Sequence, residues 1–153
     1  IEDARTAGYP AQMLPGISAE DCLVADLGID PGAKGMQSME ATQFLVFQRV
    51  IDPTSLFILW QPGIVGDLSM KRFTTSEQHL QLLVEKLSRY YSLDHQVILY
   101  EAATNPIEQT RQETISLKDL STTALKQITT LVIPPTAELV YDQLFVDKIN
   151  ALG

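Results

Sequence analysis

The sequence predicts an α/β fold. Three observations point there. Short apolar runs of strand length recur at Leu56–Gln61, Gln96–Glu101 and Thr130–Ile133. Among them lies a stripe of helical period, Leu80, Leu83, Val84, Leu87 and Tyr91, spaced i, i+3, i+4, i+7 and i+11. Turn residues separate the two kinds of segment, so strand and helix alternate along the chain.

Taken in order, Ile1 to Ala7 reads as a helix that Gly8 ends. A chain that opens inside an element is expected to be a fragment. Ala11–Leu14 reads as a short strand closed by Pro15-Gly16. Ser18 has the chemistry of an N-cap, and with Asp21 it has the spacing of a capping box, Asp standing where Glu or Gln is preferred. Cys22, Leu23, Ala25 and Leu27 supply an apolar side to this helix, and Gly28 is its stop. Ile29–Gly35 is rich in turn residues and marks a domain boundary. It divides residues 1–30 from an α/β domain of residues 31–153.

Within the second unit a strand is expected near Met36–Glu40, then a short helix near Thr42–Phe47. The buried strand Leu56–Gln61 stops at Pro62-Gly63, and a short helical segment follows near Leu68–Arg72. The clearest helix spans Ser76–Tyr90, with Thr74 and Glu77 as its capping box. Beyond the strand Gln96–Glu101, Arg111–Leu117 reads as another strand and Ser121–Lys126 as a short helix. Thr130–Ile133 ends at Pro134-Pro135. The last helix runs from Thr136 to about Leu152, with Tyr141, Phe145, Ile149 and Leu152 on one face.

Composition narrows the function classes. Hydrophobic residues make up 45% of the 153 and charged residues 20%, the profile of a soluble globular domain. At this length folding buries roughly two-thirds of the unfolded surface, so a core needs no disulfide or metal. The formal net charge of −8, with no basic run, argues against binding a phosphate backbone. No apolar stretch approaches the roughly 20 residues that span a bilayer. The single cysteine, Cys22, excludes an intrachain disulfide and makes the cytoplasm the default location.

No side-chain set reads as catalytic. His79 and His95 lack metal-ligand spacing with each other or with Cys22. A solvated surface histidine is the plain reading of His79, a turn role or a bond to Asp94 that of His95, and a small core residue that of Cys22. Element ends are more informative, because ligands of open α/β sheets lie beyond the carboxyl ends of strands. Three such ends carry unusual residues. Pro15-Gly16-Ile17-Ser18-Ala19 feeds a helix N-terminus with free N–H groups, although simple capping by Ser18 also accounts for it. Gln61 closes an apolar run with an amide that both donates and accepts; an edge glutamine facing water is the plainer alternative. Ala102-Ala103 leaves room for a flat ligand against the backbone, or for close packing.

Met13-Leu14-Pro15-Gly16-Ile17-Ser18-Ala19-Glu20-Asp21 resembles the Pro-Gly-x-Ser segment of the tetrapyrrole (corrin/porphyrin) methylase superfamily. Ala25–Gly32, Gln37–Leu45, Ile58–Gln61, Leu93–Val97, Tyr100–Ala103 and Thr129–Pro135 resemble, more narrowly, the borosin peptide α-N-methyltransferases. The resemblance runs over nearly the whole chain. It implies a mixed sheet flanked by helices, the second domain of a two-domain fold, with residues 1–30 left from a Rossmann-like first domain. It implies S-adenosylmethionine in the cleft between the domains, a homodimer, and a peptide substrate, fused or separate, methylated on backbone nitrogen. Carried over residue by residue, the cofactor contacts are Ser18, Ala19, Gln61, Ala102, Thr129 and Thr130. The family's Gly-rich loop, its Tyr-Gly-His-Pro-Gly segment and its amide-activating tyrosines and arginine match nothing in this chain. The resemblance places them before Ile1, so the chain is expected to hold half of the cofactor pocket, no catalytic group and no activity by itself. Two alternatives stand beside this reading: a tetrapyrrole C-methyltransferase, and a non-catalytic binding or dimerisation module.

Overall fold

The computed structural model describes every residue except Met70 and Pro106. Five strands form one sheet in the order β1-β2-β5-β3-β4: β1 Met36–Glu40, β2 Leu56–Trp60, β3 Gln96–Glu101, β4 Arg111–Ser116 and β5 Thr130–Ile133. β1 and β2 run parallel and the other neighbours antiparallel, so the sheet is mixed, as expected. A parallel pair needs a crossover, and helix α4, Ala41–Val46, begins it directly after β1. The central strand β5 is buried along its whole length, which is why its run is apolar without alternation. β4 lies at an edge and carries Arg111, Gln112 and Glu113, charges and amides that discourage further strand pairing.

Alternation divides the strand side chains between two faces. Phe57, Leu59, Val97, Leu99, Leu131 and Ile133 join Phe44 of α4 and Leu80, Leu83 and Leu87 of helix α5, Glu77–Leu87, in the larger core. Leu56, Ile58, Tyr100 and Val132 face the other way and are covered by Leu23 of helix α2, Ala19–Leu27. The predicted capping box starts α2. Asp21 N–H donates to Ser18 Oγ, and Ser18 N–H returns a bond to the Asp21 carboxylate. Gly28, at φ 62°, ends α2 in the left-handed conformation that favours glycine, and a one-turn helix, α3, follows at Pro31–Lys34 behind the Asp30 cap.

Several elements differ from expectation. Helix α1 covers Glu2–Thr6, but Ala11–Leu14 forms no strand; Gln12, Met13 and Leu14 are exposed and find no pairing partner among the described residues. Cys22 is only half-buried, and Leu23 carries the packing. The expected helix at Leu68–Arg72 is replaced by turns, Met70 lying outside the described residues. Those turns wrap around the buried Asp67 carboxylate, which accepts from the N–H groups of Ser69, Arg72 and Phe73. The cap of α5 is Ser76, whose Oγ accepts from His79 N–H, rather than Thr74 with Glu77. The helix expected at Ser121–Lys126 is a 3₁₀ helix shifted to Leu117–Thr122. Its buried leucines, Leu117 and Leu120, sit three apart, the period of that tighter helix. The last helix, α6, starts late, at Gln143–Asn150, behind the Asp142 cap. Thr136 and Ala137 instead bond their N–H groups to the Pro53 carbonyl.

Candidate functional site

At one end of the sheet β1, β2 and β3 finish and β5 begins. Register places Trp60, Thr130 and Tyr100 side by side across the three central strands. Gln61 follows Trp60 and takes a left-handed conformation, φ 57° and ψ 45°, with its side chain exposed. Such a conformation is uncommon and costly outside glycine and clusters at functional sites. Pro62 and Gly63 then turn the chain away in a 3₁₀ helix, Pro62–Ile64. A Cβ on Gly63 would overlap the Lys126 carbonyl oxygen, so the turn after β2 lies backbone to backbone against the turn that leads into β5.

Glu101 closes β3 directly before the half-buried Ala102. Its carboxylate is buried and accepts from Arg111 Nη1 at 2.7 Å, Lys126 Nζ at 2.6 Å and Thr129 Oγ1 at 2.8 Å. Burial pushes this carboxyl up, but the bonds from Lys126, Arg111 and Thr129, with the Arg111 charge, outweigh it and hold the group at about 2. Thr129 is sealed: its hydroxyl also accepts from Lys126 N–H at 2.8 Å, and none of the residue is exposed.

The start of α2 is tied to the same end. Glu20 Oε2 accepts from Ser38 Oγ at 3.0 Å, and that hydroxyl accepts from Trp60 Nε1 at 2.6 Å. Lower on the helix, Tyr100 Oη donates to Asp26 Oδ2 at 2.7 Å and Gln112 Nε2 to the Asp26 carbonyl at 3.1 Å. Ser18 and Ala19 are exposed at the helix start, although the Ser18 hydroxyl is engaged with Asp21.

Two cavities open at this end. One, of about 330 Å³, is lined by Gln61 with Glu40, Thr42, Asp67 and Phe73 among others. The second, of about 440 Å³, is lined by Ala102 with Glu101, Thr104, Arg111 and Lys126. Gln61, Ala102 and Thr130 thus share one sheet end, with Ser18 and Ala19 joined to it through the Glu20–Ser38–Trp60 chain. Thr129 lies there as well; it is 0% exposed and Thr130 only 4%.

The reading of His79 changes, while His95 keeps the turn role expected of it, its backbone N–H donating to the Ser92 carbonyl at 3.0 Å. His79 is packed beneath Gly66 rather than solvated: a Cβ on Gly66 would stand 2.7 Å from its ring, and Nδ1 is buried without a hydrogen-bond partner among the described residues. His95 donates from Nε2 to the Pro134 carbonyl at 2.9 Å, while Asp94 pairs with Lys118 at 2.6 Å. Among the described residues no cluster of three or more His, Cys, Asp or Glu side chains is arranged for a metal, and no helix is long and apolar enough to cross a membrane. Sequence reasoning missed the Glu101 cluster. Its available signal was a carboxylate closing an otherwise apolar strand, with an arginine ten residues on, opposite it in the pairing Glu101↔Arg111.

No protein-family model matches the chain. Curated relatives do. The methyltransferase/ribosomally synthesized cyclic peptide gymnopeptides precursor of Gymnopus fusipes is 42% identical over 141 residues, 88% of this chain and 33% of its own length. The methyltransferase/ribosomally synthesized type I borosin cyclic peptide precursor of Mycena rosella is 43% identical over 157 residues, 100% of this chain and 38% of its own. This chain therefore spans about a third of the length of these relatives. Among solved structures, the methyltransferase CobJ superposes with TM-score 0.59 at 16% identity, over 92% of this chain and 59% of that one. Uroporphyrin-III C-methyltransferase of Thermus thermophilus, solved with S-adenosylhomocysteine, gives TM-score 0.52 at 15% identity, over 86% and 55%. At those identities the likeness concerns the fold. The chain is thus a homologue of the borosin methyltransferase/precursor proteins over about a third of their length, built on the fold of the tetrapyrrole methyltransferases.

Proposed function

We propose that this chain forms one wall of the S-adenosylmethionine site in a methyltransferase that acts on backbone amide nitrogens of a peptide. The observation that carries the reading is the gathering of Gln61, Ala102 and Thr130 at one sheet end, in a chain about 40% identical to proteins named methyltransferase/cyclic peptide precursors. Gln61 offers an exposed amide to the donor, Ala102 a small surface beside its cavity, and Ser18 and Ala19 the N-terminal turn of α2. Residues 1–30 belong, in this reading, to a first domain completed elsewhere in the polypeptide, and the donor lies between that domain and the sheet.

Methyl transfer requires the donor methyl in line with the nucleophile. An amide nitrogen is a weak nucleophile and needs a base or a group that stabilises its imidate. We assign this chain to donor binding and give none of its side chains that catalytic role, so the chain alone is inactive. The names of the relatives join methyltransferase and precursor in one protein, which favours a fused peptide substrate. A homodimer is the proposed assembly; the exposed Phe145 and Ile149 on α6, with Tyr141 before it and Leu152 after it, support an apolar contact. The single cysteine supports a reducing, cytoplasmic setting.

Intact-mass spectrometry tests the reading. The full-length polypeptide that carries this chain, incubated with S-adenosylmethionine, gains mass in steps of one methyl, and fragmentation places the gains on backbone nitrogens. Methyl gain on a tetrapyrrole and none on peptide would overturn it. Calorimetry on the 153-residue chain tests the division of labour. Micromolar binding of the donor by this chain alone would contradict a shared site.

A further inference from the structure

We propose that Glu101 and Thr129 are positioning residues of the donor wall, and that Thr129 holds this wall without touching the donor. The inference rests on the proposed donor site and changes what one of its residues does there. Resemblance implies a contact at Thr129. The geometry assigns it otherwise. Its hydroxyl has one proton, given to Glu101 Oε1 at 2.8 Å, and it accepts from Lys126 N–H at 2.8 Å. The residue is 0% exposed. A hydroxyl so engaged, in a residue so covered, presents nothing to a ligand.

Glu101 gathers three elements. Arg111 comes from the start of β4, Lys126 from the turn before β5, and Thr129 from the entry to β5 itself. Arg111 also donates to the Ala124 carbonyl at 3.1 Å, which ties that turn a second time. Ala102 is the residue after Glu101, and Thr130 the residue after Thr129. The turn carrying Gln61 rests on Lys126 through Gly63. One buried carboxylate therefore sets the relative places of Gln61, Ala102 and Thr130. Removing a partner from such a cluster leaves buried charge and donors unpaired, and the attached backbone shifts to find new ones. A wall displaced by a fraction of an ångström binds its ligand less well without altering the chemistry of a bound one.

A double-mutant cycle on the full-length polypeptide tests this. Donor affinity by calorimetry, kcat at saturating donor and the melting temperature are measured for Thr129→Val, Glu101→Ala and the pair. Each single substitution is expected to weaken affinity roughly tenfold, the double no more than Glu101→Ala alone, with kcat at saturation within about twofold of the parent. Thr129→Ser, which keeps the hydroxyl, restores affinity. If Thr129→Val weakens affinity by the same factor with or without Glu101, the hydroxyl touches the donor and the proposal is overturned. It is overturned as well if melting temperatures fall while affinities hold, because the cluster then supports only the fold. Where Glu101→Ala yields no folded protein, Glu101→Gln takes its place in the cycle. A parent polypeptide that binds no donor overturns the donor site itself, a result distinct from a parent that binds and variants that add.

Discussion

Alanine at Gly63 tests how closely the two turns at the sheet end are pressed together. The added Cβ would overlap the Lys126 carbonyl oxygen and stand 2.7 Å from its carbon. Carbon atoms in ordinary contact are about 3.5–4.0 Å apart, so the two backbones must part by roughly 1 Å. Neither side gives easily. Gly63 is held in the 3₁₀ turn whose Ile64 N–H bonds the Gln61 carbonyl at 3.1 Å. Across from it, the Lys126 carbonyl accepts from Thr129 N–H at 3.1 Å, a bond the new methyl displaces. Overpacking at about 1–3 kcal/mol and the loss of a buried hydrogen bond at about 1 kcal/mol together predict a destabilisation of roughly 2–4 kcal/mol. Gly16 is the control. Among the described residues nothing lies within 4 Å of its Cβ position, so Gly16→Ala is expected to stay within about 0.5 kcal/mol of the parent. Urea denaturation reads both, as a lowered midpoint at unchanged slope for Gly63→Ala alone. Equal midpoints for parent and Gly63→Ala would refute the close approach of the two turns.

Three further outcomes follow from the packing and the charges. Leu83→Ala, at a fully buried position of α5, should cost about 2–5 kcal/mol in the same assay, because α5 covers the larger core. Ser18→Ala should cost about 1 kcal/mol and leave a cooperative transition, since only the cap of α2 is lost; a loss several times larger would point to a further role for the hydroxyl. The Glu101 carboxyl is held down at about 2 against an ordinary 4.5, so its contribution to stability is full above pH 4.5 and is lost as pH falls through about 2. Acid titration of the parent against Glu101→Gln, followed by circular dichroism, should show the parent's advantage shrinking across that window; a gap that stays constant would contradict the ion cluster.

What the sequence makes legible follows from burial. β2, β3 and β5 stand out because a buried strand needs an apolar run, and α2 stands out because Ser18, Asp21 and Gly28 punctuate both its ends. The start of α5 is ambiguous because Thr74 and Ser76 both offer a hydroxyl at capping distance from acidic or polar first-turn residues, and only backbone geometry selects Ser76. Gln61 could be marked as a polar residue closing a strand, but not as left-handed, since that conformation is imposed by the turn and not by glutamine. Thr129 and Thr130 read alike in sequence. Strand periodicity sends these two buried residues to opposite sides, so Thr130 aligns with Trp60 and Tyr100 while Thr129 turns to Glu101. The ion cluster itself joins residues up to 28 apart in sequence, a contact that no local pattern encodes.

The most direct test of the donor wall is a crystal structure of the full-length polypeptide with S-adenosylhomocysteine. The product is expected at the sheet end, in contact with Gln61, Ala102 and Thr130, with Thr129 still bonded to Glu101. Seating at the opposite end, in the cavity of about 520 Å³ lined by Ile29, Leu56, Ile98, Val132 and Pro134, would contradict the placement of the site.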